Sequence, residues 1–329
     1  MKSVLFKIII LSFILQLSCL NDADRGNPFD PGSKDFENAG VVRGQTLTFY
    51  SPFSALQDVE VSMQPGTFVT RSNVQGQFSF DRVPAGRYQI TALKAGYAPV
   101  SDTVQINFGE TTPVQMNLDG LPLMPAISLN SCHISRWFPQ NDLFLLEVTA
   151  RVQDPDGFND IDLVLIAIAE LNFVDTLAVT PSPEIFKLTI LESQLPGRNL
   201  HDVLGREIVL SARDHAGFAS TSAPKFLARI IEETPVTVSP QGLEIVATPT
   251  PTLSWQVLDL PFRVTYRVEL FRVDFGLNTL VWSQSGIDRP ATSITVPDSL
   301  VAGTYFWTVA VVDEFGNCSR SKEASFQVN

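Results

Sequence analysis

The densest run of side chains able to do chemistry is DPDGFNDID, Asp154 to Asp162. Asp154, Asp156 and Asp160 set carboxylates at i, i+2 and i+6 around Gly157. Alternate aspartates on a turn put hard oxygens around one Ca²⁺, the one cofactor the sequence offers. The run lacks the third Asp before the glycine and the Glu at the twelfth place that an EF-hand loop needs. The competing reading is a turn rich in Asp and Gly whose carboxylates cap their own backbone. A second cluster, CHISRWFPQN, gathers His133, Arg136, Trp137 and Phe138. Aromatics in such a loop offer a platform to a sugar ring or a partner protein. Trp137 is expected instead in a core or at a module junction, and the same holds for Phe275 and Trp282. His133, His201 and His215 share no metal-ligand spacing and are expected in loops or on the surface. The sequence has no G-x-S-x-G elbow, no phosphate-binding glycine loop and no Cys–His protease pattern, so no catalytic residue is assigned.

The remaining reactive side chain near a terminus is Cys19, which closes the run MKSVLFKIIILSFILQLSC. Lys2 and Lys7 make a short basic start, and Val4 to Leu17 is almost wholly apolar. This is the layout of a cleaved secretory signal over residues 1–18. The apolar run is shorter than the roughly 20 residues a spanning helix needs. A cysteine just after such a run resembles the lipobox of bacterial lipoproteins. Gln16 stands where that family usually has leucine, with Leu15 one place further back. The resemblance implies cleavage before Cys19 and acylation of its thiol and new amine. An ordinary signal with an incidental cysteine is the alternative. Residues 19–39 are polar, rich in Asp, Asn, Gly and Pro, and read as a flexible tether. Their NPFDP string resembles a segment that follows the lipid cysteine in some bacterial lipoproteins. Leu20, where Asp would be an inner-membrane retention signal, implies by the family's rule an outer-membrane destination, facing the periplasm or the surface.

From Cys19 to Asn329 the chain would count 311 residues, which suits two or three domains. Without Lys2 and Lys7, 21 basic residues face 35 acidic ones, a net charge of −14. Such a chain repels nucleic acid and gains nothing from anionic headgroups. Membrane contact would therefore come from the acyl anchor alone. Apolar residues make up 44% of the chain, enough for real cores. Export permits a disulfide between Cys132 and Cys318, which requires their Cα atoms within about 7 Å. Because the two fall in what read as different modules, they are expected to stand apart as unreactive thiols, with pairing as the alternative.

Positioning all of this falls to strands, because the apolar period is two. Val59, Val61 and Met63 alternate, as do Leu146, Val148, Ala150 and Val152, and again Tyr305, Trp307, Val309 and Val311. Turn signals recur about every ten residues, as in sandwiches. The reading is an all-β chain of three tandem β-sandwich modules after the signal and tether. In residues 40–121, Gly76, Phe78, Phe80, Val83, Gly86, Tyr88, Gly96 and Tyr97 follow in an order that resembles the carboxypeptidase regulatory-like domain. That resemblance implies a small transthyretin-like sandwich whose signature residues make the fold. Residues 122–125 read as a linker. In residues 126–231 the strand candidates are Leu143–Val152, Ile161–Ala169, Phe186–Leu191, Glu207–Ala212 and Phe226–Ile230, and LSARDHAGFAS resembles the last hairpin of immunoglobulin-like modules. Residues 232–235 read as the next linker.

In residues 236–329 the B-strand set Pro251, Leu253 and Trp255, the C-strand set Tyr266, Val268 and Leu270, and the step Leu300, Gly303, Tyr305 resemble a fibronectin type III module. That family places a tyrosine corner at Tyr305, its hydroxyl bonded to backbone upstream. VVDEFGNCS echoes ARDHAGFAS, a weak internal repeat. The expected role is non-catalytic: a lipid-anchored binding, adhesion or spacer protein of the cell envelope. The alternatives are a glycan-binding accessory protein of a polysaccharide system and a structural subunit of an outer-membrane assembly.

Overall fold

Alternation in the sequence becomes ladder in the computed structural model, which describes Ser33 and residues 39–329. The signal segment, Cys19 and nearly all of the tether lie outside the described residues. The chain divides into two compact units, the first ending at Leu121 and the second running from Pro122 to Asn329.

The first unit holds β1 (Ala39–Thr48), β2 (Glu60–Gln64), β3 (Phe68–Arg71), β4 (Gln77–Pro84), β5 (Gly86–Leu93), β6 (Val100–Ile106) and β7 (Thr111–Leu118). They make two sheets, ordered β4-β1-β7 and β3-β2-β5-β6. The residues expected to face inward do so: Val59, Val61, Met63, Phe78, Phe80, Tyr88 and Ile90 are all buried in one core. Gly76 sits at φ +73°, and a Cβ there would stand 2.4 Å from the Thr46 carbonyl oxygen, so only glycine fits the turn that launches β4. Asn73 Oδ1 accepts the N–H of Gln75 and of Gln77 and sets that turn. The Tyr88 hydroxyl donates to the Pro84 carbonyl at 3.1 Å, pinning the next reversal.

The second unit contains two cores. Around the first lie β8 (Leu123–Ile134), β9 (Leu143–Gln153), β10 (Ile161–Ile168), β11 (Phe173–Thr176), β12 (Ala178–Val179), β13 (Ile185–Leu191), β14 (Val209–Asp214) and β15 (Ala219–Thr221). Around the second lie β16 (Thr237–Ser239), β17 (Glu244–Val246), β18 (Thr252–Trp255), β19 (Val264–Asp274), β20 (Leu277–Asp288), β21 (Ser293–Thr295), β22 (Gly303–Asp313), β23 (Cys318–Arg320) and β24 (Ala324–Val328). Trp255, Tyr266, Tyr305, Trp307 and Phe326 fill the second core. The Tyr305 hydroxyl donates to the Val301 carbonyl at 2.8 Å, which is the expected tyrosine corner.

One sheet runs through both cores in the order β12-β13-β9-β8-β23-β22-β19-β20. Its seam is the parallel pair β8 and β23, in which Cys132 lies opposite Cys318. The two form a disulfide with a Cα–Cα distance of 4.6 Å, closing a sequence separation of 186 residues. This corrects the expectation of two separate thiols. The cysteines do belong to different sandwiches, but β8 extends far enough to pair with the neighbour's last hairpin. Three other expectations also change. Residues 123–125 belong to β8 rather than to a linker. Phe226–Ile230 makes no ladder: Leu227 is buried, and the Ser131 hydroxyl takes up the Arg229 carbonyl. His133 is a buried strand residue, not a surface one.

Candidate functional site

Asp154 follows β9, Asp160 closes a 3₁₀ turn (Phe158–Asp160) just before β10, and Asp214 ends β14. The ladder pairs Ile161 with Asp214, so the two loops meet at one end of the sandwich. The backbone N–H of His215 donates to the Asp160 carbonyl at 2.9 Å and ties them together. Asp154 Oδ1 accepts the N–H of Asp156 at 2.8 Å, an Asx turn of the kind the sequence allows. Asp156 brings a carboxylate oxygen within 4.8 Å of one from Asp160. The structure thus gathers Asp154, Asp156 and Asp160, and it adds Asp214, which the sequence reading missed.

The electrostatics are those of crowded, desolvated anions. Asp160 and Asp214 are 6% and 1% exposed. Oδ2 of Asp154, of Asp160 and of Asp214 is buried and has no hydrogen-bond partner among the described residues. Burial first, then the like charges of Asp160, Asp156 and Asp214, push the Asp154 carboxyl up to about 6, against the opposing pull of the Asp156 N–H. Asp162, in the same run, is different. Arg213 grips its Oδ2 from Nε and Nη2 at 3.1 and 2.7 Å, and His215 stands 3.8 Å from its Oδ1.

The weak repeat seen in the sequence is a repeat of one turn. In Asp214–Phe218 and in Asp313–Asn317 the first and fifth residues share a backbone bond, and the glycine N–H returns to the aspartate carbonyl. In both, Oδ1 of the aspartate accepts the fifth residue's N–H. They differ at the other oxygen. Asp313 Oδ2 accepts Asn317 Nδ2 at 3.0 Å and has Arg229 at 3.5 Å. Phe218 stands in the place of that asparagine, so Asp214 Oδ2 is left without it.

The aromatic cluster sits where two sandwiches meet, the junction that was one of the two places expected for Trp137. Trp137 is 64% exposed and Phe138 88% exposed, so neither is a core residue. The Trp137 indole N–H donates to the Glu323 carbonyl at 2.7 Å, and Lys322 Nζ lies 4.4 Å from its ring centre, so one face is already covered. Phe275, expected in a core, is fully exposed at a hairpin tip with φ +51°. Trp282 is half-buried, while Trp255 and Trp307 are fully inside. His133 Nε2 lies 2.9 Å from Asp142 Oδ2, and its ring stacks on Phe144 at 4.1 Å. His201 pairs with Glu232. The three histidines stay apart in the roles they play.

The carboxypeptidase regulatory-like domain matches residues 54–119 of the chain. No curated protein matches the sequence. Among solved structures, the chain is similar to the FN1–FN3 domains of chicken CNTN1 at 12% identity and a TM-score of 0.30, covering 82% of this chain and 90% of that one. The fibronectin(III)-like modules of Clostridium thermocellum CbhA overlap it at 13% identity and a TM-score of 0.27, over 63% of this chain and 92% of that one. A putative carbohydrate binding protein from Bacteroides uniformis does so at 9% identity and a TM-score of 0.24, over 57% and 98%. Overlaps this loose carry nothing about function. Among the described residues no helix is long and apolar enough to cross a membrane.

Proposed function

We propose that the chain is a non-catalytic lipoprotein of the cell envelope, anchored through Cys19 and acting as a binding or spacer protein. The observation that carries this reading is the Cys132–Cys318 bond across the seam of a continuous sheet. Disulfides of this kind form and persist in oxidising compartments, as export by the signal over residues 1–18 requires. The bond also welds two sandwiches into one body, the property a spacer needs. Alkylation mass spectrometry on the chain from bacterial envelopes tests it. Cys132 and Cys318 should resist alkylation until reduced; free thiols there would remove the support.

The reading as a subunit of an envelope assembly has its own observation. Among the described residues, β20 ends the long sheet and pairs with β19 alone. Leu277, Leu280 and Val281 on it are exposed, with Phe275 at the tip. An unpaired edge with apolar side chains is where another strand adds. The glycan reading has less to stand on: of the four tryptophans only Trp137 is exposed, and Lys322 covers it.

A further inference from the structure

We propose that the end of the β8–β15 sandwich binds one Ca²⁺ through the carboxylates of Asp154, Asp156, Asp160 and Asp214.

Acidic side chains often crowd a turn without holding anything, so the case rests on the oxygens left over after the turn is made. Asp154 spends Oδ1 on the Asp156 N–H, and Asp214 spends Oδ1 on the Phe218 N–H. What remains are three Oδ2 atoms, of Asp154, Asp160 and Asp214, all buried and none with a partner among the described residues. A buried carboxylate oxygen without a donor is costly, and all three lie on loops that the Ile161–Asp214 pairing and the His215–Asp160 backbone bond bring to the same end of the sandwich. A cation removes the penalty at all three together.

The duplicated turn supplies the control. Asp313 occupies the same place in the neighbouring sandwich, and there both oxygens are satisfied, by Asn317 and by Arg229 nearby. The same fold element therefore shows what a structural aspartate looks like when it serves the turn alone. Asp214 has Phe218 instead of the asparagine, so its second oxygen stays unpartnered, and its charge reaches Asp154 along with that of Asp160. The local basic groups do not fill the gap: Arg213 and His215 are turned to Asp162. The desolvation and mutual repulsion that push Asp154 upward are what a cluster shows before its cation is counted. Hard oxygens select Ca²⁺ or Mg²⁺ over thiophilic metals. Four carboxylates on loops, completed by backbone oxygen or water, suit the six to eight flexible ligands of Ca²⁺ better than the tight octahedron of Mg²⁺.

The test uses the full chain, purified in detergent, stripped with EDTA and titrated with CaCl₂ by calorimetry and by thermal unfolding. We expect one Ca²⁺ per chain and a rise in Tm of about 5–10 °C once Ca²⁺ exceeds its Kd about a hundredfold. Both should vanish in Asp160→Asn and in Asp214→Asn and persist in Asp162→Asn, whose carboxylate Arg213 already holds. The two loss variants keep the size of the side chain and its acceptor oxygen, so in EDTA they should melt close to the wild-type Tm. That separates lost binding from lost folding. A flat wild-type titration up to about 10 mM CaCl₂, beyond the weakest extracellular sites, would overturn the proposal. So would Ca²⁺ binding unchanged in both loss variants, or an equal response to MgCl₂.

Discussion

Asp154 and Asp142 show how burial and partners move a carboxyl in opposite directions. Asp154 is raised from 3.8 to about 6. Stability linked to it is complete below 3.8 and is lost as pH rises through 6. In EDTA, the Tm of the wild type should therefore fall relative to Asp154→Asn between pH 4 and pH 7, measured by parallel thermal melts. Asp142 is lowered: burial pulls it up, but bonds from His133 and Ser135 outweigh that. Its contribution is present above the ordinary carboxyl range and is lost as pH falls through the depressed value. Asp142→Ala should cost about 1 kcal/mol in urea unfolding at pH 7, and the difference should close below pH 4. Three of the four acidic residues were legible, because Asp154, Asp156 and Asp160 sit in one run. Asp214 was not, because only the register of β10 on β14 brings it to them. Phe275 was misread for a related reason: aromatic character favours burial, yet it falls at a hairpin tip where the chain turns away from its core; Trp137 is exposed but meets Glu323 and Lys322 of the neighbouring sandwich, the module junction that the sequence allowed.

At the level of elements, the twin turns make a matched comparison. Gly217 and Gly316 both have positive φ, +95° and +90°. A Cβ at Gly217 meets open space, while one at Gly316 would stand 2.2 Å from Asn130 Nδ2 on β8. Gly217→Ala should cost about 1 kcal/mol from backbone strain alone. Gly316→Ala should cost at least as much, since the Asn130 side chain on β8 must also turn aside; chemical denaturation of both variants in EDTA reads the difference. Tyr305→Phe removes the bond to Val301 and should cost about 1 kcal/mol. Strands were the most legible part of the chain, since a period of two speaks directly about one buried face. Phe226–Ile230 failed because it is apolar without a neighbouring strand to pair with; Ser131 and the core hold it instead.

Across the whole molecule, the second unit joins two cores by one sheet and one covalent bond. Scanning calorimetry should show residues 122–329 melting in a single transition when oxidised. Cys132→Ser with Cys318→Ser should lower its stability by about 2–5 kcal/mol and separate the two sandwiches into successive transitions. The joining of the two cores was not legible in the sequence, because a parallel pair between strands 186 residues apart leaves no local signal. Membrane anchoring depends on Cys19, and the mass of the N-terminal peptide from bacterial membranes tests it most directly. A diacylated or triacylated peptide beginning at Cys19, absent in Cys19→Ala, is the predicted result. An unacylated peptide in the soluble fraction would contradict the anchor and leave a freely exported protein in its place.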